Sequence, residues 1–433
     1  MCAKLLRKLL ISVSLSIATC ALALQGQLAA SPSAAKPVAY VYISSTPVSG
    51  SPNVINGFEA SSTGQLTPVT GSPFQANDGV LSVNGNKLYG INSSATFLDG
   101  YSIAVDGGLT YLTSTDYALY NANGCGFAGW VFSDRTGTDL YALNFDGDCA
   151  NNAYQSFRVN PSSELTYLGS GSGGAGSFSG VYLPLTFLGN NKYGYEATNN
   201  GCFYYQVWGF QRTNNGDLVD GGTGATLPSP PPGYRGYIAD FTASDSTNHV
   251  AIAMEPANPP GCSGASVQVG SFTADSNGNL STTNTNSDMP PIAISYIDDM
   301  KISPSGKLLA VGGTGGLQIL HFNGPNPPTN YSGLLTTDAI TQMFWDDDQH
   351  LYAISPSAGR LHVYTITTTK YQEAPGSPYP ITQPFAIAIQ PRQRAEAAHN
   401  ASCASTGGTG ACDLDRWAEG HFHEEDAFQL LRR

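Results

Sequence analysis

Asp298, Asp299 and Lys301 are the residues of this chain whose types and spacing come nearest to working chemistry. Two adjacent carboxylates with an amine two positions on can polarise a water or hold a divalent cation. A solvated turn with a local ion pair uses the same residues. Asp346, Asp347 and Asp348 follow Trp345 and suggest calcium at first sight. Successive residues of an extended segment point apart, however, and a turn between two strands accounts for Asp equally well. Asn144, Asp146 and Asp148 have the one-three-five spacing that opens a calcium loop. The sixth position is then Cys149 where Gly is needed, and the twelfth is Gln155 where a bidentate Glu is expected. His421, His423, Glu424, Glu425 and Asp426 are metal-capable, but they lie in a C-terminal segment without strand patterning. No resident cofactor or metal is therefore predicted, and a divalent cation is the one ion these carboxylates could take.

The elements that would position such residues repeat about every 50 positions. A short apolar strand leads to a polar turn, then Leu-Tyr-Ala or similar, a Gly/Asn loop, an alternating strand and a closing Gly-x-Leu. The phrase reads most clearly in 301–322, KISPSGKLLAVGGTGGLQILHF, and in 344–366, FWDDDQHLYAISPSAGRLHVYTI. Four short strands per unit predict an all-β, seven-bladed β-propeller of four-stranded antiparallel blades over 38–392. Between third and fourth strands stand Ser-Thr-Gly, Asp-Gly-Gly, Asn-Asn-Gly and Ser-Asn-Gly, which supply the positive φ of tight hairpins. The first unit lacks a first strand before Ala39, while 383–391, QPFAIAIQP, is a first-strand phrase with no unit after it. The C-terminal strand is thus expected to pair with 39–45 and close the ring, removing an open sheet edge. Asp298, Asp299 and Lys301 are placed at the entry to a first strand, hence at the channel mouth. Trp130, Phe178, Tyr182, Tyr234, Arg235 and Trp345 lie near other first strands. Aromatics there hold sugars and flat ligands, and they also pack blades against each other.

The ends differ from the repeat. A basic start (Lys4, Arg7, Lys8), an apolar run over 9–24 and small residues to Ala30 form a secretory signal pattern. The run is shorter than a bilayer span requires, so 1–30 is expected to be cleaved, with 31–37 as a linker and the protein periplasmic or extracellular. Cys20 after Ile17-Ala18-Thr19 faintly resembles a lipoprotein box. Residues 393–433 lose the alternation and read as a tail with at most a short helix. Charged residues are 12% of the chain, about half the usual share. The net charge of −13 becomes −16 once Lys4, Arg7 and Lys8 leave with the leader. An acidic surface repels phosphate backbones, which argues against nucleic acid as a partner. The expected partner is a small molecule, glycan or protein at the propeller mouth, and a monomer with no membrane span is expected. Six cysteines remain after the leader, and an even number in an exported chain favours disulfides. Fifteen pairings are open, of which Cys125–Cys149, Cys202–Cys262 and Cys403–Cys412 are preferred. No CxxC pair is present for zinc.

Four phrases carry a resemblance: ISPSGKLLAV (302–311), LYALN (140–144), SSTGQLTPVTGSPF (61–74) and QPFAIAIQP. They resemble the bacterial lactonase-like seven-bladed propellers, a family that includes 6-phosphogluconolactonase-type and many exported members. The resemblance spans 39–391 and rests on blade-building phrases. It implies the fold and, by extension, lactone hydrolysis. Such enzymes commonly carry Pro-His at the start of a first strand, with His, Glu and Arg at the mouth. Here the matching step is Pro384-Phe385, and none of His249, His321, His350, His362, His399, His421 or His423 opens a first strand. A phosphorylated sugar acid would need a basic cluster, and Arg135, Arg158, Arg212, Arg235 and Arg360 are scattered. Sialidase boxes, Gly-His…Trp-Asp pairs and a G-x-S-x-G elbow are absent, and Gly171–Gly176 lacks the Lys of a phosphate cradle. Two readings follow: an exported binding or scaffold module, and a lactone-ring hydrolase.

Overall fold

The computed structural model describes residues 36–46, 53–92, 96–116, 128–144, 154–171, 184–199, 205–258, 266–346 and 349–392. The expected leader (1–30), the expected tail (393–433) and Cys125, Cys149, Cys202, Cys262, Cys403 and Cys412 of the expected disulfides lie outside these residues. Among the described residues there is no helix, and the strands form seven antiparallel sheets. The innermost strands are Asp78–Asn84, Ala128–Ser133, Thr186–Phe187, Gly236–Ser244, Tyr296–Ile302, Gln342–Trp345 and Pro384–Pro391. Neighbouring members of this set touch in sequence around a central axis. Pro384–Pro391 pairs antiparallel with Ala39–Ser45, setting Val41 against Ile389 and Ile43 against Ile387. The C-terminal strand therefore completes blade 1, as the missing first strand predicts.

The core is divided among the seven blade interfaces rather than gathered in one place. Second strands explain why. In Ala39–Ser45 every residue is buried: Ala39, Val41 and Ile43 face blade 7, while Tyr40 and Tyr42 face blade 2. Both faces are dry, so second strands read as apolar runs, and strict alternation is confined to strands nearer the rim.

Tyrosines of these second strands clasp the next blade. Tyr42, Tyr89, Tyr141 and Tyr195 each donate a hydroxyl hydrogen bond to a carbonyl in the outer turn of the following blade, those of Gly107, Ser163, Gly216 and Gly278. At Gly107 the approach is so close that a Cβ would stand 2.6 Å from the Tyr40 ring, and φ is +82°.

Candidate functional site

The turns from first to second strand position the channel's lower end, and four of them are built on one side-chain acceptor. Asp134 Oδ1 accepts the amide of Asp139, Asp245 Oδ1 that of His249, Ser303 Oγ that of Leu308 and Asp346 Oδ1 that of His350. Asp346 is thereby a turn residue; its second oxygen takes His350 Nδ1 at 2.7 Å and the Tyr352 hydroxyl at 3.1 Å. Asp146, Asp148, Asp347 and Asp348 lie outside the described residues.

Inside the ring is a cavity of about 400 Å³ to which all seven innermost strands contribute. It lies toward the ends of those strands. Its wall carries the hydroxyls of Ser82, Ser133, Thr186, Thr242 and Ser244, the Gln342 amide, and the rings of Trp130, Phe132, Phe241 and Phe344. Four charged residues complete it: Asp134, Arg135, Asp299 and Lys301.

Asp298, Asp299 and Lys301 do not precede the first strand of blade 6; they lie within it, in Tyr296–Ile302. Spacing by two puts Asp299 and Lys301 on one face, and Lys301 Nζ donates to Asp299 Oδ1 at 2.7 Å. Asp299 Oδ2 accepts the Met343 amide of blade 7 at 2.8 Å. Burial raises the Asp299 carboxyl pKa and Lys301 draws it down. The Lys301 ammonium also lies 5.3 Å from the Phe344 ring centre. Asp298 falls in the irregularity between the Ile297 and Asp299 pairings and is not part of the cavity wall. Burial, then the Asp299 charge, pushes its carboxyl up to about 6.

Of the aromatics, Trp130 lines the cavity. Trp345 is buried and its indole N–H donates to the Lys301 carbonyl at 3.1 Å, joining blades 6 and 7. Tyr234 and the exposed Arg235 precede Gly236–Ser244, away from the cavity wall, with the Arg235 amide bound to the Ala257 carbonyl. Phe178 and Tyr182 lie outside the described residues. At Pro384-Phe385, Phe385 is 60% exposed and stands over Gly79 at the opposite, entry side of the channel. The described histidines are all away from the cavity wall. His249 and His350 close turns with Asp245 and Asp346, His362 sits 3.0 Å from Asp338, and His321 packs at a tilt against the Tyr331 ring.

Two functional features escape sequence reading. Asp240 occupies the same irregular position in blade 5 that Asp298 occupies in blade 6. Burial, then Glu255, pushes its carboxyl up to about 8, and Tyr296 feels the charge of both Asp298 and Asp240. No motif marks a bulge, so only the repeat's register could have singled out this pair. Arg135 is the second feature: its turn resembles that of blade 6, but nothing in the sequence tells that its side chain crosses to two other blades. Among the described residues no group of three His, Cys, Asp or Glu is placed to hold a metal ion, and no helix is long and apolar enough to cross a membrane.

No protein-family model matches this sequence, and no curated protein is similar to it. Solved structures are similar in fold. A Bacteroides fragilis protein assigned as a 6-phosphogluconolactonase superposes with a TM-score of 0.57 at 13% identity, covering 83% of this chain and 100% of its own. The periplasmic gluconolactonase of Pseudomonas aeruginosa gives 0.56 at 13%, covering 81% and 98%. A Sulfolobus tokodaii protein described as selenium-binding gives 0.56 at 9%, covering 83% and 94%. At these identities the likeness extends to the seven-bladed fold.

Proposed function

We propose that this protein is an exported, monomeric binding module that holds a small molecule in its central channel. One observation carries the reading: the carboxylates on the cavity wall are already committed. Both oxygens of Asp299 are occupied, by Lys301 and by the Met343 amide, and Asp134 accepts from Asp139, Thr136 and Asn191. General acid–base chemistry needs a group free to exchange a proton with the substrate. Hydroxyls, an amide and flat rings are instead the lining of a holding site. Export is supported by the basic and apolar N-terminal pattern and by the periplasmic address of the Pseudomonas aeruginosa protein of the same fold.

Lactone hydrolysis is the second reading. It is favoured by Asp240 and Asp298, two carboxyls on neighbouring blades with proton affinities raised toward neutrality, as a general acid requires. Titration of lactones, polyols and small acids against Trp130 fluorescence tests the binding reading. A saturable change is expected in the wild type and is expected to vanish in Trp130→Phe. A saturable change that survives in Trp130→Phe but is lost in Asp240→Asn would move the ligand to the mouth and favour the hydrolase.

A further inference from the structure

We propose that the exit end of the channel is an oxyanion subsite organised by Arg135, so that the ligand held there carries a carboxylate or phosphate group. The proposal rests on the channel-binding reading and adds the chemical class of its ligand.

Two cations face the cavity, and they differ in compensation. Lys301 is neutralised by Asp299. Among the described residues Arg135 donates only to neutral oxygens. Its Nε donates to the Phe187 carbonyl at 2.6 Å. Its Nη2 donates to the Ser244 carbonyl at 3.2 Å, the Ser244 hydroxyl at 3.0 Å and the Asp245 carbonyl. Its own amide is held by Asn191 Oδ1 at 3.0 Å. The nearest carboxylate in electrostatic reach, Asp245, is turned to the amides of Thr247 and His249 and to the His249 ring. Nη1 makes no hydrogen bond among the described residues. The guanidinium is thus rigid, charged and open on one edge.

A second observation points the same way. Ser133, two residues from Arg135, lines the same cavity, and its hydroxyl is buried without a hydrogen-bond partner among the described residues. A buried hydroxyl left unpaired is costly, and an oxyanion beside a guanidinium is the acceptor that would satisfy it. The turns at this end carry cations, Lys192 and Lys307, and carboxylates, Asp134, Asp245 and Asp346, whose oxygens are turned to backbone amides of their own turns. The attraction for an anion is therefore local to the Nη1 edge of Arg135, in a protein that is acidic as a whole.

The competing role for Arg135 is that of a clasp joining blade 3 to blades 4 and 5. The two are separated by titrating the full-length protein with inorganic phosphate, with acetate and malonate, and with sorbitol, against chloride at matched ionic strength and with Trp130 fluorescence as readout. Phosphate or a carboxylate is expected to bind saturably, and whichever binds tighter identifies the source of the charge. Arg135→Gln should weaken that binding about tenfold or more, the worth of a charge-assisted hydrogen bond. Ser133→Val should weaken it several-fold, and this variant decides the matter if Arg135→Gln does not fold. Equal affinity in wild type and Ser133→Val, or a response no greater than that to chloride, overturns the proposal. Saturable sorbitol binding without anion binding overturns it while leaving the channel-binding reading intact. Silence to every compound overturns both.

Discussion

A tyrosine hydroxyl explains the most repeated phrase in the sequence. In blades 1 to 4, Leu-Tyr-Ala and its variants recur because Tyr89 and Tyr141, with Tyr42 and Tyr195 in looser forms of the phrase, lock one blade to the outer turn of the next, while Tyr352 of blade 7 donates to Asp346 in its own turn. Truncating a buried hydroxyl strands its carbonyl partner, at about 1–2 kcal/mol. Tyr141→Phe and Tyr89→Phe should each lower unfolding free energy by that amount in urea, and Tyr371→Phe, exposed on an outer strand, should leave it within experimental error. Asp299 belongs to the same scale. Removing a buried carboxylate that holds both Lys301 and the Met343 amide breaks a buried pair, so Asp299→Ala should cost about 3 kcal/mol. The spacing of Asp299 and Lys301 was legible, because period two puts them on one face. Met343 was not, since the contact joins residues 44 positions apart through blade packing.

Among elements, turns were the most readable. Gly64, Gly107, Gly216 and Gly278 all have positive φ where third strands meet fourth. The recurrence of Gly-Ser-Pro-Phe as Gly-Ser-Pro-Tyr also has a cause. In both blades the outer strand is split in two, and the Ser hydroxyl takes the amide of the strand beside it: Ser72 that of Gly57, Ser377 that of Val363. Less readable were charges buried between strands, because nothing local marks them. Glu196, on the second strand of blade 4 directly opposite Trp208, has one oxygen bound by the Tyr154 hydroxyl and the other without a partner among the described residues. Burial pushes its carboxyl up to about 8 from an ordinary 4.5. The fold therefore holds the protonated form. Its contribution to stability is complete below pH 4.5 and is lost as pH rises to 8, at about 1.4 kcal/mol per pH unit. Glu196→Gln should flatten this slope. Urea midpoints at pH 5 and pH 8 should differ less in the variant than in the wild type, and equal differences would show that Glu196 is not the group responsible.

At the scale of the molecule, one strand decides whether seven blades make a ring. Pro384–Pro391 supplies the innermost strand of blade 1 and contributes Ala388 and Ile389 to the cavity wall. A chain ending at Gln383 should lose cooperative unfolding and become sensitive to protease, whereas one ending at Arg392 should unfold cooperatively and resist protease, as read by circular dichroism and limited proteolysis. Ring closure was legible from the two incomplete units at the ends of the repeat. The contents of the channel were not, because its wall draws residues from seven separate strands whose individual phrases serve blade building. The account is tested most directly by following a lactone panel by nuclear magnetic resonance in the presence of the protein, with and without divalent metal. It predicts line broadening of those lactones that carry a carboxylate or phosphate group, lost in Arg135→Gln, with ring opening no faster than in buffer. Accelerated ring opening that Asp240→Asn or Asp299→Ala abolishes would contradict it.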